Sequence, residues 1–269
     1  MPPRPRRTAN APRATANAPR ATANAPHAAA KAPRAASKVR KGAVDADEIA
    51  SRISTAIVEH RLPPGTKLTE ARLGEIFGVS RTKIREALYV VSRSRLVTWL
   101  PGRTAFVAQP SVAEAHELFE VRRALETIAT RRLARSVRPE QITRLRAQCV
   151  REREGVAAQS LRTGTRPGSR LLNDFHRLIA ELSGNAVLNS LVGEISARTS
   201  LVEVYYGTEM DATCSCDEHA EILACIERGD GAAAARLMDS HIRHIESCLK
   251  LEQSTPEAFD LRAAFADNL

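Results

Sequence analysis

The sequence contains no unbroken run of about 18 apolar residues, so no membrane-spanning helix is expected. No apolar segment follows the arginines near its start, which excludes the pattern of a secretory signal. Its five cysteines are odd in number and widely scattered, which fits a reducing compartment better than a disulfide framework. Aromatic residues make up only 4% of the chain although 43% of it is hydrophobic, so a sizeable core must be mainly aliphatic. Acidic residues are missing altogether from positions 1–42, which hold ten Lys or Arg. The whole chain carries +9, so everything after that stretch is close to neutral, and the basic pI belongs to the N-terminal segment.

That segment, taken as residues 1–43, repeats a seven-residue unit from Thr8, Thr15 and Thr22, with Pro12, Pro19, Pro26 and Pro33 in step. Proline inside a helix costs about 3 kcal/mol. Almost no large apolar side chains are present to offset the entropy of ordering, so a disordered basic tail is expected. Its dispersed cations suit salt-sensitive, non-specific contact with phosphate. The chain's 269 residues leave room for about two domains beyond it.

Thr69–Leu88 organises the first of these. Leu73, Ile76, Phe77, Ile84, Ala87 and Leu88 recur at helical spacing, and Gly78-Val79-Ser80 interrupts the stripe. Glycine can leave a helix in the left-handed conformation and serine can cap the next one. Two short helices across such a turn make a helix-turn-helix, or equally a buried helical corner with a cationic outer face. Before it, Asp45–Glu48 has capping-box spacing and opens a helix carrying Ile49, Ile53 and Ile57. After it, Val97–Leu100 and Ala105–Ala108 flank Pro101-Gly102-Arg103-Thr104, a β-hairpin pattern. Helix, helix-turn-helix and hairpin in that order read as a winged helix over residues 44–109.

Leu62-Pro-Pro-Gly-Thr-Lys-Leu-Thr-Glu70, followed by Val79-Ser-Arg-Thr-Lys-Ile-Arg-Glu-Ala-Leu88, resembles the N-terminal domain of GntR-type bacterial transcription regulators. The resemblance implies contacts from Arg81, Thr82, Lys83 and Arg85 to bases and phosphates of double-stranded operator DNA. It also implies a wing tip at Gly102 and Arg103 in the minor groove. Lys83 stands where the relevant branch usually has Pro, and Thr104 where a wing Gly is usual.

Residues 110–252 show helical patterns throughout, starting at the capping box Ser111–Glu114 and recurring near 139–158, 168–183, 186–206, 215–228 and 230–251. No alternating pattern competes, so an all-α bundle of six or seven helices is expected, with a short tail at 253–269. The fold class is therefore mainly α. His176, His219 and His241 each sit on a different predicted helix within an apolar stripe. They could be core histidines with hydrogen-bond partners, or could converge on a divalent metal such as Zn²⁺ or Ni²⁺. Cys214-Ser-Cys216 offers two thiols at a spacing of little diagnostic value.

Leu118–Glu126, Phe175-His176, Gly184-Asn185, Asp217-Glu-His219 and Met238-x-x-His241 resemble the FCD effector domain of the FadR branch. That domain generally holds a divalent metal with three His and an acidic residue four positions before the first, beside a small carboxylate effector. His176, His219 and His241 match the three positions. The acidic position is Leu172, which cannot ligate, leaving Asn173 as the substitute. Arg122 and Arg198 fall at pocket-arginine positions and would pair bidentately with the effector carboxylate. The expected protein is a cytoplasmic, nucleoid-associated bacterial regulator acting as a homodimer, and a repressor in the commoner mode. Two alternatives are a zinc-dependent hydrolase using the three His, which lacks the H-E-x-x-H spacing, and a nucleoid-compacting protein acting through the basic tail.

Overall fold

A computed structural model describes residues 45–100, 102, 104–160, 169–207, 212–251, 261–262 and 264–265. The expected disordered tail, Arg103 at the wing and most of the C-terminal tail lie outside these residues.

Helix α1, Ala46–Val58, begins at Asp45 and buries Ile49, Ile53 and Ile57 on one face. Strand β1, Lys67–Leu68, leads into α2, Glu70–Phe77. Gly78 ends α2 in the left-handed region at φ 66°, a conformation that a Cβ would strain. Ser80 then caps α3, Arg81–Arg93, through its hydroxyl and the Lys83 amide. The hairpin is β2, Val97–Leu100, and β3, Thr104–Val107, with Gly102 at φ 93° between them. β3 is central in an antiparallel sheet of order β1-β3-β2, pairing Lys67 with Phe106 and Val97 with Val107. The winged helix is thus realised with one strand more than the sequence pattern suggests. Two residues are too few to show an alternation, and β1 exists because β3 offers it a partner.

Six helices follow among the described residues: α4, Val112–Ala134; α5, Pro139–Ser160; α6, Ser169–Leu182; α7, Ala186–Tyr206; α8, Ala212–Glu227; and α9, Gly231–Ser247. Helix α4 packs chiefly against α9 and α7. Ser111 caps it by accepting from the Glu114 amide at 3.1 Å. The bundle core gathers Phe119, Leu145, Phe175, Ile179, Val202, Ile222, Ile226, Met238 and Ile242.

A second apolar core lies in the winged helix and contains a contribution from outside it. Leu201 of α7 and Leu261, Ala264 and Phe265 are buried among Ile49, Leu73, Phe77 and Leu88. The Phe265 ring meets Phe77 edge-on at 5.0 Å, and the Ala264 carbonyl accepts from Arg61. Leu261, Ala264 and Phe265, within the expected tail at 253–269, thus pack on the winged helix. The stretch is too short for periodicity to register, and its apolar residues are placed by a partner surface distant in sequence.

Candidate DNA-reading face and metal centre

Helix α3 buries Ile84, Ala87, Leu88 and Val91 against the winged-helix core, and so turns its opposite face outward. Arg81 and Thr82 are exposed on the first turn and Lys83 is half-buried. Arg85 lies on the same face but is held by Glu70 of α2, with Nε–Oε1 at 2.6 Å and Nη2–Oε2 at 3.1 Å. This bidentate pair ties the two helices together and presents Arg85 in a fixed orientation. Tyr89, one turn further on, stacks on Trp99 of β2 at 4.8 Å and links α3 to the wing.

In the bundle, α6, α8 and α9 carry His176, His219 and His241 to one point, each ring almost wholly buried. His241 Nε2 lies 3.1 Å from His219 Nε2 and 3.2 Å from His176 Nε2. Every Nδ1 faces a carboxylate. His176 meets Glu126 of α4 at 2.5 Å, His219 meets Glu152 of α5 at 2.8 Å, and His241 meets Glu218 of α8 at 2.5 Å. Each imidazole is thereby oriented from behind, as histidine ligands of metals usually are.

Electrostatics decide what the rings can do. Burial opposes ionisation of Glu126, but its contacts with His176 and Arg122 outweigh this and bring its pKa down to about 2. Burial likewise opposes Glu218, whose hydrogen bonds with His241 and His244 hold it below the ordinary carboxylate range. Both therefore accept, which assigns an Nδ1 proton to His176 and to His241. Burial drives the His176 pKa down to about 3 despite Glu126, so at neutral pH no second proton serves this ring. Its Nε2 lone pair, 3.2 Å from His241 Nε2, is then available to a cation at the common point. Burial also lowers His219 well below its ordinary value and pushes Glu152 up to about 7. The donor set and its orientation fit a divalent metal held by three neutral imidazoles.

Among the other expected site residues, Arg122 is buried at the centre of a network of its own. It donates to Glu126 at 2.7 Å, to Thr199 and Glu203 of α7 at 3.2 Å each, and to Asn173 Oδ1 at 3.3 Å. Its guanidinium is thus occupied by the protein's own acceptors, and the Asn173 oxygen faces Arg122. Arg198, the other expected pocket arginine, is joined through Nη2 to Glu114 at 2.5 Å. Glu126, Glu152 and Glu218 are the residues that sequence reasoning missed. A signal existed for the first, because Arg122 and Glu126 fall in the same inward stripe as Leu118, Phe119 and Ala129.

The two halves meet through α7. Ser200 Oγ lies 3.1 Å from His60 Nε2, just beyond α1, and 3.4 Å from the Val58 carbonyl. A cavity of about 370 Å³ lies beside this contact, between α1 and the α6–α7 pair, and none of the three His lines it. Asn173 and Ser196 line it, and Asn173 Nδ2 and Ser196 Oγ are buried there without a hydrogen-bond partner among the described residues.

A winged helix joined to a helical bundle is an architecture of transcription regulators. Residues 45–107 match the family described as "Bacterial regulatory proteins, gntR family", and residues 117–244 match "FCD domain". The chain belongs to the GntR family of transcription regulators, in the FCD-bearing group that includes the FadR branch. It is similar to the HTH-type transcriptional repressor RspR of Escherichia coli K12, 24% identical over 205 residues, covering 76% of this chain and 88% of that protein. It is similar also to the HTH-type transcriptional regulator LutR of Bacillus subtilis, 26% identical, covering 70% and 93%. A putative GntR regulator from Rhodococcus sp. RHA1 shares the fold with a TM-score of 0.64 at 21% identity, covering 75% and 95%. The family consists of transcription regulators, which are not enzymes, and neither the hydrolase nor the nucleoid-compacting alternative gains support.

Proposed function

We propose that the protein is a metal-loaded, ligand-responsive repressor that binds a pseudo-palindromic operator as a homodimer. The observation that carries the sensory part is the convergence of His176, His219 and His241 Nε2 on one buried point, with Glu126, Glu152 and Glu218 behind the three rings. His176, His219 and His241 would hold Zn²⁺ or Ni²⁺, which supplies a Lewis-acidic position for the oxygen of a small carboxylate. Asn173 is left out of the ligand set, because its oxygen is turned to Arg122.

On the DNA side, Arg81, Thr82 and Lys83 enter the major groove while Glu70 orients Arg85 toward it. The wing at Gly102 and Arg103 reaches the adjoining minor groove. Two copies are needed to span two half-sites about one helical turn apart. An exposed apolar stripe on α4, with Val121 and Ile128 seven residues apart and Ala124 between them, supports a second copy as the cover.

Coupling between the halves runs through the chain's own residues. His176 contacts Glu126, Glu126 contacts Arg122, and Arg122 reaches Thr199 and Glu203. The intervening residues Ser200 and Leu201 face the winged helix, through His60 and the apolar core. A ligand that pulls on His176 therefore acts on the α7 turn that seats α1. It shifts DNA affinity only by its differential affinity for the two arrangements. In this scheme Arg122 transmits and Arg198 steadies α7 through Glu114, and neither needs to meet the carboxylate.

The test is selection of binding sites from a randomised duplex pool, followed by titration of the recovered duplex. Expected are two inverted half-sites and weaker binding when a carboxylate is added to metal-loaded protein. A binding site without symmetry, or identical isotherms across a carboxylate panel with and without Zn²⁺ and Ni²⁺, would overturn the reading.

A further inference from the structure

Beside the three-His centre lies a second group of metal-binding side chains that the regulator reading does not use. Cys214 and Glu218 are four residues apart on α8 and so share one face of that helix. His244 lies three residues beyond His241, on the same side of α9. One potential ligand atom from each of Cys214, Glu218 and His244 lies within 4.8 Å of the others. All three residues are half-buried, in contrast to the buried inner histidines. Glu218 belongs to both groups, with Oε2 at 2.5 Å from His241 Nδ1 and Oε1 at 2.7 Å from His244 Nδ1.

We propose that Cys214, Glu218 and His244 form a second divalent-metal site, and that its filling tunes the inner three-His site through the shared carboxylate of Glu218. One thiolate, one imidazole and one carboxylate are the donors of a zinc-type ion, whereas Mg²⁺ and Ca²⁺ prefer oxygen alone. Bonds of about 2.0–2.3 Å place tetrahedral ligands some 3.3–3.8 Å apart. The cluster needs only side-chain adjustments to reach that spacing, chiefly an opening of the Glu218–His244 hydrogen bond. Cys214 binds as thiolate and its proton leaves to solvent, so binding strengthens as pH rises. Three protein ligands leave one position for water. Half-burial makes this the more accessible of the two sites.

The coupling follows from Glu218. With Oε1 committed to the outer ion, its Oε2 stays fixed on His241 Nδ1 and holds that ring in its ligating orientation. Partners of this kind alter metal affinity about 10- to 100-fold when replaced. The outer site stands without the inner one, and only the coupling rests on the three-His reading.

The experiment is a Co²⁺ titration of the reduced, chelator-stripped full chain, following metal equivalents and the near-ultraviolet thiolate-to-cobalt charge-transfer band. Two equivalents and the band are expected, since only the outer site contains sulfur. Cys214→Ser should lose the band and one equivalent while keeping the other. His176→Ala with His219→Ala should lose one equivalent and keep the band. Should that double variant fail to fold, His244→Gln, whose side chain is partly exposed, separates the sites from the other direction: it should lose the band and one equivalent and keep the other. Glu218→Gln should abolish the outer site and weaken the remaining equivalent about 10- to 100-fold. No band in the wild-type chain, or a band that survives Cys214→Ser, would overturn the outer site even if one equivalent binds. A band without the sulfur-free equivalent would leave the outer site standing and remove the inner reading. Unchanged inner affinity in Glu218→Gln would overturn the coupling.

Discussion

The winged helix and the bundle have opposite plans. The winged helix has an interior of Ile, Leu, Val, Ala and Phe, and its chemistry stands outside, on the first turns of α3. The bundle places its chemistry inside: Arg122, Glu126, Glu152 and three histidines are all buried within an apolar shell. A surface reader can exchange side chains cheaply, because water solvates whatever is left over. A buried network cannot, because each member is the hydrogen-bond partner of the next. Substitutions should therefore separate the halves: those in the bundle centre should register as stability, those on α3 as DNA affinity.

The largest effect is expected from Glu126→Ala. It leaves the Arg122 guanidinium buried beside Glu203 alone and removes the His176 partner, at a cost of about 3–5 kcal/mol. Urea denaturation of metal-stripped protein measures this directly. A loss below about 1 kcal/mol would contradict the view that the centre is held by its charge network.

Next comes Phe265→Ala, which tests whether the C-terminal residues belong to the winged-helix core. Truncating a buried Phe costs about 3 kcal/mol or more. The loss should appear in the transition of the winged helix and leave Co²⁺ binding by the bundle intact. A variant as stable as the parent would remove Phe265 from that core.

Acid should weaken the contact between the halves through His60. Burial lowers its folded pKa from 6.5 to about 4, so the unfolded chain takes up the proton first as pH falls. The associated stability is complete above pH 6.5 and is lost at up to about 1.4 kcal/mol per unit between 6.5 and 4. Comparison of denaturation at several pH values with His60→Gln isolates this slope. An equal slope in both proteins would remove His60 from the account.

The smallest expected changes in folding, and the clearest in function, come from α3. Arg81→Ala should cost about 1–3 kcal/mol in operator discrimination with an unchanged melting curve. Lys83→Ala should lower affinity more evenly across sequences and reduce the salt dependence by about one ion. If Arg81→Ala binds selected and random duplexes with the parental ratio, the base contact lies elsewhere on the face.

Much of the winged helix was legible in the chain because its signals are local. Gly78 and Ser80 mark the turn, Ile84 and Leu88 mark the buried face, and the hairpin follows within a few residues. What escaped was β1, whose two residues form a strand only against β3, and Phe265, whose partner Phe77 lies far away in sequence. In the bundle, capping residues and apolar stripes announced the helices, and the three histidines stood out by type. Of their carboxylate partners only Glu126 lay on an inward stripe, whereas Glu152 and Glu218 look like ordinary polar positions until helix packing brings them behind the rings.

The sequence by itself determined the helices and the hairpin, the family and which residue types could read DNA or hold a metal, since these depend on spacing within one helix or turn. Only the tertiary structure decided which nitrogen of each histidine faces the common point, that Arg122 is satisfied internally, and that α7 joins the buried centre to the DNA-reading half. Among them are contacts between side chains 50, 77 and 140 positions apart. Their geometry is set by helix packing, which no local pattern encodes.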